Sequence, residues 1–472
     1  MSTTRVRRRT GLGRGAALAA AAVLLFLPWT LDLEGLGEPG HRMLGLFLAA
    51  IVLWVSEAIP LHATAAFIIL FEIVTISDRA LWALPADFDP PAYSTFFGTL
   101  AHPVLMLFLG GFFLAEGAAK FHLDRALARI LLRPFGTSPR RVLLGLMVVT
   151  AVFSMFMSNT ATTATVLAVV LPVAVSLDRS DRFRTALVLA IPVAANIGGM
   201  GTPVGTPPNA IAVGSLAEAG YDVGFGEWMV LAVPVMSVVL VLAWLLLLRV
   251  FPARTDAIRL EIEGALARGR DAAILYTVFV ATVVLWLSEP LHGVNANIVG
   301  FLPVVVLLAT RVFSAEDLQR IPWHVLWLVA GGIALGIGVT AAGLDTWLVA
   351  RVDWSAMSGG MVVAGVAATA LLLSTFISNS AAANLLIPIG LTLALSGAVS
   401  VEAVAVAFFI AVGASLAMAL PVSTPPNALA YSTGMVTTRQ MAAIGAVVGI
   451  AGWALFVWLA PIGWSLMGVS PG

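Results

Sequence analysis

The feature that most constrains this chain is its recurring long apolar runs without charge. Residues 142–177 are 36 consecutive positions lacking Asp, Glu, Lys and Arg, and 185–217, 354–401 and 403–438 are equally bare. A helix of about 20 apolar residues crosses the ~30 Å hydrocarbon core of a bilayer. Charged residues make up 11% of the chain and hydrophobic ones 60%, with a mean hydropathy of +1.01. Soluble domains carry about 25% charged residues. The chain is therefore expected to be a membrane protein with many spans, neither soluble nor disordered. Its net charge of zero leaves no basic footprint for nucleic acid. With no cysteine, disulfides, thiolate metal sites and cysteine nucleophiles are excluded.

Strand alternation is missing, so helices are the expected spans. Eleven are expected, near 16–33, 42–59, 63–78, 101–119, 185–219, 228–250, 272–289, 295–312, 323–342, 402–436 and 441–467. Arginine-rich loops mark the cytoplasmic side. They include Lys120 to Arg141, Arg179 to Arg184, Arg249 to Arg270, and the loop with Arg311 and Arg320. The cluster Arg5, Arg7, Arg8 and Arg9 precedes an uncleaved first span. The N-terminus is then cytoplasmic and the C-terminus outside, in the inner (plasma) membrane. Phe121 to Pro134 alternates apolar and charged residues at helical spacing, which suits a helix lying at the interface or an ordinary helix of the cytoplasmic loop equally well.

The chain repeats itself. Val52 to Glu57 matches Val284 to Glu289, Gly110-Gly111 matches Gly331-Gly332, and Met157 to Thr160 matches Ile377 to Ser380. Val204-Gly205-Thr206-Pro207-Pro208-Asn209-Ala210 matches Val422-Ser423-Thr424-Pro425-Pro426-Asn427-Ala428. Four pairs in order, with a slowly shrinking offset, indicate duplication. The expected organisation is an arm and first span at 1–44, a first repeat at 45–250, a cytoplasmic linker at 251–271, and a second repeat at 272–472. Within the first repeat we place scaffold helices at 45–119, the interfacial helix at 120–135, a polar hairpin at 141–177, a broken helix at 185–219 and a span at 228–250. The second holds scaffold helices at 272–342, a hairpin at 359–397, a broken helix at 402–436 and a last span at 441–467. By the arginine rule the first Trp-Ser-Glu segment ends an inward-running span and the second an outward-running one. The repeats are thus inverted, and inverted repeats are a transporter signature.

The polar chemistry sits inside the bare runs. Ser154, Ser158, Asn159 and Thr160 lie midway along 142–177, and Ser374, Ser378, Asn379 and Ser380 repeat them. Each run is too long for one span. Two short spans and one re-entrant hairpin satisfy the flanking arginines equally well. Ser-Asn at each tip has the chemistry of a helix N-cap. Thr206-Pro207-Pro208-Asn209 and Thr424-Pro425-Pro426-Asn427 must break their helices at membrane depth. Such breaks are tolerated where they line a cavity. Freed amides suit an anion, while carbonyls, hydroxyls and amide oxygens suit a hard cation such as sodium. With no acid in these runs, a proton relay is disfavoured. Glu57 and Glu289 lie at span ends and are expected to be structural.

These motifs together resemble the divalent anion/sodium symporter family, over nearly the whole chain. The resemblance implies an all-α integral membrane fold of about eleven transmembrane helices plus two re-entrant hairpins. It implies a homodimer whose transport domain moves as an elevator against a scaffold. Carried over, one sodium site uses Ser154, Ser158, Asn159 and the Gly205 carbonyl, and its mate uses Ser374, Ser378, Asn379 and the Ser423 carbonyl. The substrate's carboxylates meet Asn159, Thr160, Thr206, Asn379, Ser380, Thr424 and Pro425. Ser380 stands where threonine is usual. The implied function is sodium-coupled import of a dianion, foremost a C4-dicarboxylate such as succinate, malate or fumarate. Sulfate or citrate symport, and sodium-independent dicarboxylate exchange, are the alternatives. No nucleophile with a base, nor any metal-ligand cluster, points to an enzyme.

Overall fold

The computed structural model describes residues 11–258, 265–354 and 357–466, and among them the chain is helical with no strand. The arginines at 5 and 7–9 and the linker segment 259–264 lie outside the described residues. Among the described residues, ten helices are long and apolar enough to cross a membrane. Seven of them coincide with spans expected from sequence: Gly13–Thr30, Glu38–Ser56, Tyr93–Lys120, Phe225–Val250, Arg270–Leu287, Trp323–Ala341 and Thr438–Ser465. The stretches at 63–78 and 295–312 form shorter helices, Leu61–Ile76 and Ala296–Ala309. Those at 185–219 and 402–436 are interrupted, as their prolines require.

The remaining three long helices are hairpin arms. Pro139–Phe156 and Asn159–Ser176 make the first hairpin, and Gly359–Phe376 pairs with the shorter Asn379–Leu395 in the second. In each hairpin only two residues separate the arms.

Duplicated sequence gives duplicated packing. Trp54 Nε1 donates to the Leu61 carbonyl at 3.3 Å, and Trp286 Nε1 donates to that of Ala296 at 3.1 Å. Each tryptophan thus pins its helix to the start of the next. Glu289 accepts from the amides of Ala296 (3.0 Å) and Phe225 (3.3 Å), which fastens that corner. Pro103–Lys120 packs against Ala296–Ala309, and Trp323–Ala341 packs against Leu61–Ile76. Each helix therefore lies on the other repeat's counterpart. Glycine permits the approach: a Cβ on Gly110 would fall inside the Gly300 carbonyl, and one on Gly331 would sit 2.6 Å from Ala65 Cα.

The helix expected at the interface is Leu123–Leu132. It buries Leu123, Ala126 and Leu132 and leaves Ile130 and Leu131 exposed. Asp124 at its start accepts from Thr165 of the first hairpin (3.2 Å), and its mate Asp345 accepts from Thr392 of the second (3.1 Å). The linker is held at its start, where Asp181 accepts from the amides of Arg254 and Thr255 and Ile258 donates to the Thr137 carbonyl.

Lys120 reaches the loop before Trp323–Ala341, donating to Asp317 at 2.6 Å and to the Val312 carbonyl at 2.8 Å. Burial alone would raise the Asp317 carboxyl. Hydrogen bonds from Lys120 and Ser314, with the lysine charge, outweigh it and hold the group below the ordinary carboxylate value. A depressed acid stabilises the fold above its unfolded value, about 3.9, and loses that contribution as pH falls through the lower folded value. Asp317→Asn is therefore expected to lower Tm by an amount constant at neutral pH. That difference should shrink below about pH 4. Thermal unfolding of both proteins across this range measures it, and a gap that widens in acid contradicts the pairing.

Candidate functional site

The site begins with two helix starts. Ser158 caps Asn159–Ser176 by accepting from Ala161 N at 3.2 Å, and Ser378 caps Asn379–Leu395 through Ala381 N at 3.2 Å. One turn before each cap lies a fully buried serine. Ser374 Oγ is 2.8 Å from both Asn379 Oδ1 and the Ala414 carbonyl. Ser154 Oγ likewise lies against Asn159 Oδ1 and is 2.7 Å from the Ala195 carbonyl. A hydroxyl has one hydrogen, so two acceptors at this range can at best share it in weaker, divided bonds. Each tip thus gathers three oxygens around a single proton, an arrangement that a bound cation relieves.

The carbonyls come from the interrupted helices. Phe183–Gly199 stops and Pro207–Glu218 resumes; Ala403–Ser415 stops and Pro425–Ser432 resumes. Proline at the restart supplies no amide to the carbonyls of the preceding turn. Asparagine does so instead. Asn209 Nδ2 contacts the carbonyls of Gly199, Met200 and Thr202 (3.1, 3.3 and 2.7 Å). Asn427 Nδ2 contacts those of Met418 and Leu420 (2.8 and 3.0 Å). This explains the Pro-Pro-Asn sequence: two residues break the helix and the third knits the break. Hydroxyls then pin each break to its hairpin, Thr202 to the Met155 carbonyl and Ser423 to that of Thr375 at 2.9 Å.

Six of the thirteen residues expected at the site come together, in two groups of three. A Cβ on Gly199 would stand 2.6 Å from Asn159 Oδ1, and one on Gly205 would stand 3.0 Å from Gly199 Cα. Ser154, Asn159 and Gly205 therefore share one small volume. Ser374 and Asn379 touch directly, and Ser423 joins them through the Thr375 carbonyl. Thr206, Thr424 and Ser380 are buried; Asn159, Asn379 and Ser378 are half-buried; Ser158, Thr160 and Pro425 are exposed. Among the described residues the side chains of Thr160, Thr206 and Ser380 make no hydrogen bond, and none joins the two tips directly. The tip helices instead meet the other repeat through packing. Pro425–Ser432 lies on Asn159–Ser176, and Pro207–Glu218 lies on Asn379–Leu395.

Three buried polar residues escape the sequence reading. Asn196, a lone amide in an apolar run, donates to Thr424 Oγ1 and Asn427 Oδ1, each at 3.2 Å, across the repeat boundary. Asn384 on the second hairpin donates to the Leu328 carbonyl at 3.2 Å. Glu72 is fully buried in Leu61–Ile76, against Met43 and Gly338 and outside both hairpins. Among the described residues no group of three or more His, Cys, Asp or Glu is placed to hold a metal. A cation at either tip must rely on neutral oxygens.

Two helical repeats, each setting a polar-tipped hairpin against an interrupted helix inside a multi-pass bundle, define a membrane transporter rather than an enzyme. A profile for citrate transporters matches residues 51–413. The chain is 30% identical to the sodium-dependent dicarboxylate transporter SdcS of Staphylococcus saprophyticus, over 93% of this chain and 88% of that one. It is 29% identical to SdcS of Staphylococcus aureus strain USA300, over 92% and 87%. The fold is shared with YdaH of Alcanivorax borkumensis (TM-score 0.57, 12% identity, 90% and 99% covered). It is also shared with MtrF of Neisseria gonorrhoeae (TM-score 0.52, 14% identity, 93% and 97% covered). The chain belongs to the citrate-transporter family of divalent anion/sodium symporters.

Proposed function

We propose that this protein imports a dianion, foremost a C4-dicarboxylate, together with sodium. The observation that carries this is the pair of oxygen clusters at the hairpin tips, each with more acceptors than hydrogens. Ser154, Ser158, Asn159 and the Gly205 carbonyl hold one sodium ion as cargo. Ser374, Ser378, Asn379 and the Ser423 carbonyl hold another. Asn159, Thr160, Thr206, Asn379, Ser380, Thr424 and Pro425 hold the substrate's carboxylates. The runs forming the site carry no arginine, so the dianion is neutralised by helix N-termini and by the co-bound cations. That dependence is the coupling: each ligand raises the other's affinity by the same factor. The relatives' dicarboxylate specificity supports this substrate class over citrate and sulfate, although the family description names citrate.

The same reading takes the hairpins as re-entrant, because their tips pack on breaks in the middle of neighbouring helices. It takes 45–119 and 272–342 as scaffold, and the hairpins with the broken helices as a block that moves like an elevator within a homodimer. The N-terminus is cytoplasmic and the C-terminus outside, in the plasma membrane.

Uptake of radiolabelled succinate into proteoliposomes, with and without an inward sodium gradient, tests the function. Uptake is expected only with sodium, with malate and fumarate competing better than sulfate or citrate. Sodium alone should raise Tm, and succinate should raise it further only in sodium, since ligands stabilise the state that they bind. Equal stabilisation by succinate in potassium points to exchange instead. Preferential inhibition by citrate or sulfate reassigns the substrate.

A further inference from the structure

We propose that Asn196 couples the two cation clusters, so that filling one tightens the other; this rests on the sodium-coupled reading above. The two clusters belong to different repeats, and the described hydrogen bonds mostly keep each within its own. Asn196 is the exception. It follows Ala195, whose carbonyl lies 2.7 Å from Ser154 Oγ in the first cluster. Its own amide reaches Thr424 Oγ1 and Asn427 Oδ1 in the second repeat, each at 3.2 Å. From there the chain of bonds continues. Asn427 Nδ2 holds the Met418 and Leu420 carbonyls, Leu420 N donates to Ser423 Oγ at 3.2 Å, and Ser423 donates to the carbonyl of Thr375, next to Ser374. A polar path therefore runs from the first serine-asparagine pair to the second.

The mirror path is broken. Ser374 lies against the Ala414 carbonyl as Ser154 does against that of Ala195, which makes Ser415 the mate of Asn196. Serine has two fewer side-chain heavy atoms, and its hydroxyl lies one bond closer to the backbone than the asparagine amide. Ser415 Oγ has no hydrogen-bond partner, and neither has Asn209 Oδ1, the mate of the oxygen that Asn196 contacts. Ser415, Asn209 and Asn196 are 2%, 0% and 1% exposed, so water does not substitute freely. The Asn196 link thus has no counterpart at the mirror position, where symmetry would place a second. In a low-dielectric interior such bonds are strong, and an unmade one is costly. A shift of the Ala195 carbonyl toward a cation therefore moves the Asn196 amide and, through it, the loop at 418–424.

The test is the sodium dependence of succinate uptake in proteoliposomes, with sodium titration of Tm in detergent as a second readout. Wild type is expected to show a Hill coefficient above one. Asn196→Ser should bring it to about one and weaken apparent sodium affinity about fivefold or more, with the maximal rate at saturating sodium largely kept. The exchange variant Asn196→Ser with Ser415→Asn moves the amide to the mirror position, opposite Asn209, and should restore cooperativity. Ser415→Asn alone leaves the native link intact and should steepen the curve. A purely structural role for Asn196 would lower Tm without changing the curve's shape.

An unchanged Hill coefficient in Asn196→Ser overturns the proposal. So does a folded exchange variant that stays non-cooperative, or a Ser415→Asn curve flatter than wild type. Wild-type protein that transports no dianion yet shows cooperative, Asn196-dependent stabilisation by sodium overturns the transport reading and upholds the coupling. Wild-type protein insensitive to sodium in both readouts overturns both.

Discussion

Asn159→Ala and Asn379→Ala are each expected to abolish sodium-driven succinate uptake while the protein still folds. Both side chains are half-buried at a tip and place Oδ1 beside a buried serine hydroxyl. On the reading proposed here each also faces a cation and a carboxylate. Removing one amide deletes ligands to two charged species at once. A hydrogen bond to a charged group is worth about 1.5–3 kcal/mol, or roughly 10- to 150-fold per lost contact, and losses at a shared site compound. The fold should tolerate the change. The caps at Ser158 and Ser378 stay in place, and each asparagine is the first residue of its helix, where alanine is acceptable. Size-exclusion profiles and Tm in sodium-free buffer check folding, and proteoliposome uptake checks function. Near wild-type uptake by either variant removes that tip from the site.

Gly110→Ala is expected to cause the largest loss of stability of any single methyl added where the two repeats pack together. The new Cβ would meet the Gly300 carbonyl, which is backbone and cannot rotate away. Pro103–Lys120 and Ala296–Ala309 would have to separate. Overpacking typically costs about 1–3 kcal/mol and more where nothing can yield, a large share of a marginal stability. A fall in Tm of about 5 °C or more follows, with reduced yield of monodisperse protein. Gly360→Ala is the control, because nothing lies within 4 Å of its added Cβ. Gly111→Ala is intermediate, since its Cβ would meet the Val204 side chain at 3.3 Å. Equal melting of Gly110→Ala and Gly360→Ala would show that the two repeats do not approach as closely as described.

The broken helices and the hairpin tips were legible because their determinants are local. Two prolines break a helix wherever they occur, and the asparagine after them sits within reach of the carbonyls they free. Serine before asparagine caps a helix by contacts within three residues. The arms of the hairpins were less legible. Pro139–Phe156 and Asn159–Ser176 are each 18 residues, enough to cross a bilayer outright. Their partnership with the breaks near 200 and 420 depends on packing between distant segments. Glu72 shows the same limit. It sits in an ordinary apolar run, and its complete burial follows from Met43 and Gly338, far away in the chain.

Local chemistry places the chain in a membrane, shows that it is built twice over, and marks where each half breaks and caps its helices. These follow from the absence of charge, the periodicity of motifs, and the fixed backbone demands of proline and serine, all of which act within a few residues. How the halves meet is visible in the folded molecule alone: glycine of one repeat against backbone of the other, each restarted helix on the other repeat's hairpin, and Asn196 reaching across to Thr424 and Asn427. Those contacts join residues roughly 160 to 270 positions apart, and what brings them together is the shape of the buried surfaces, which no local pattern of residues records.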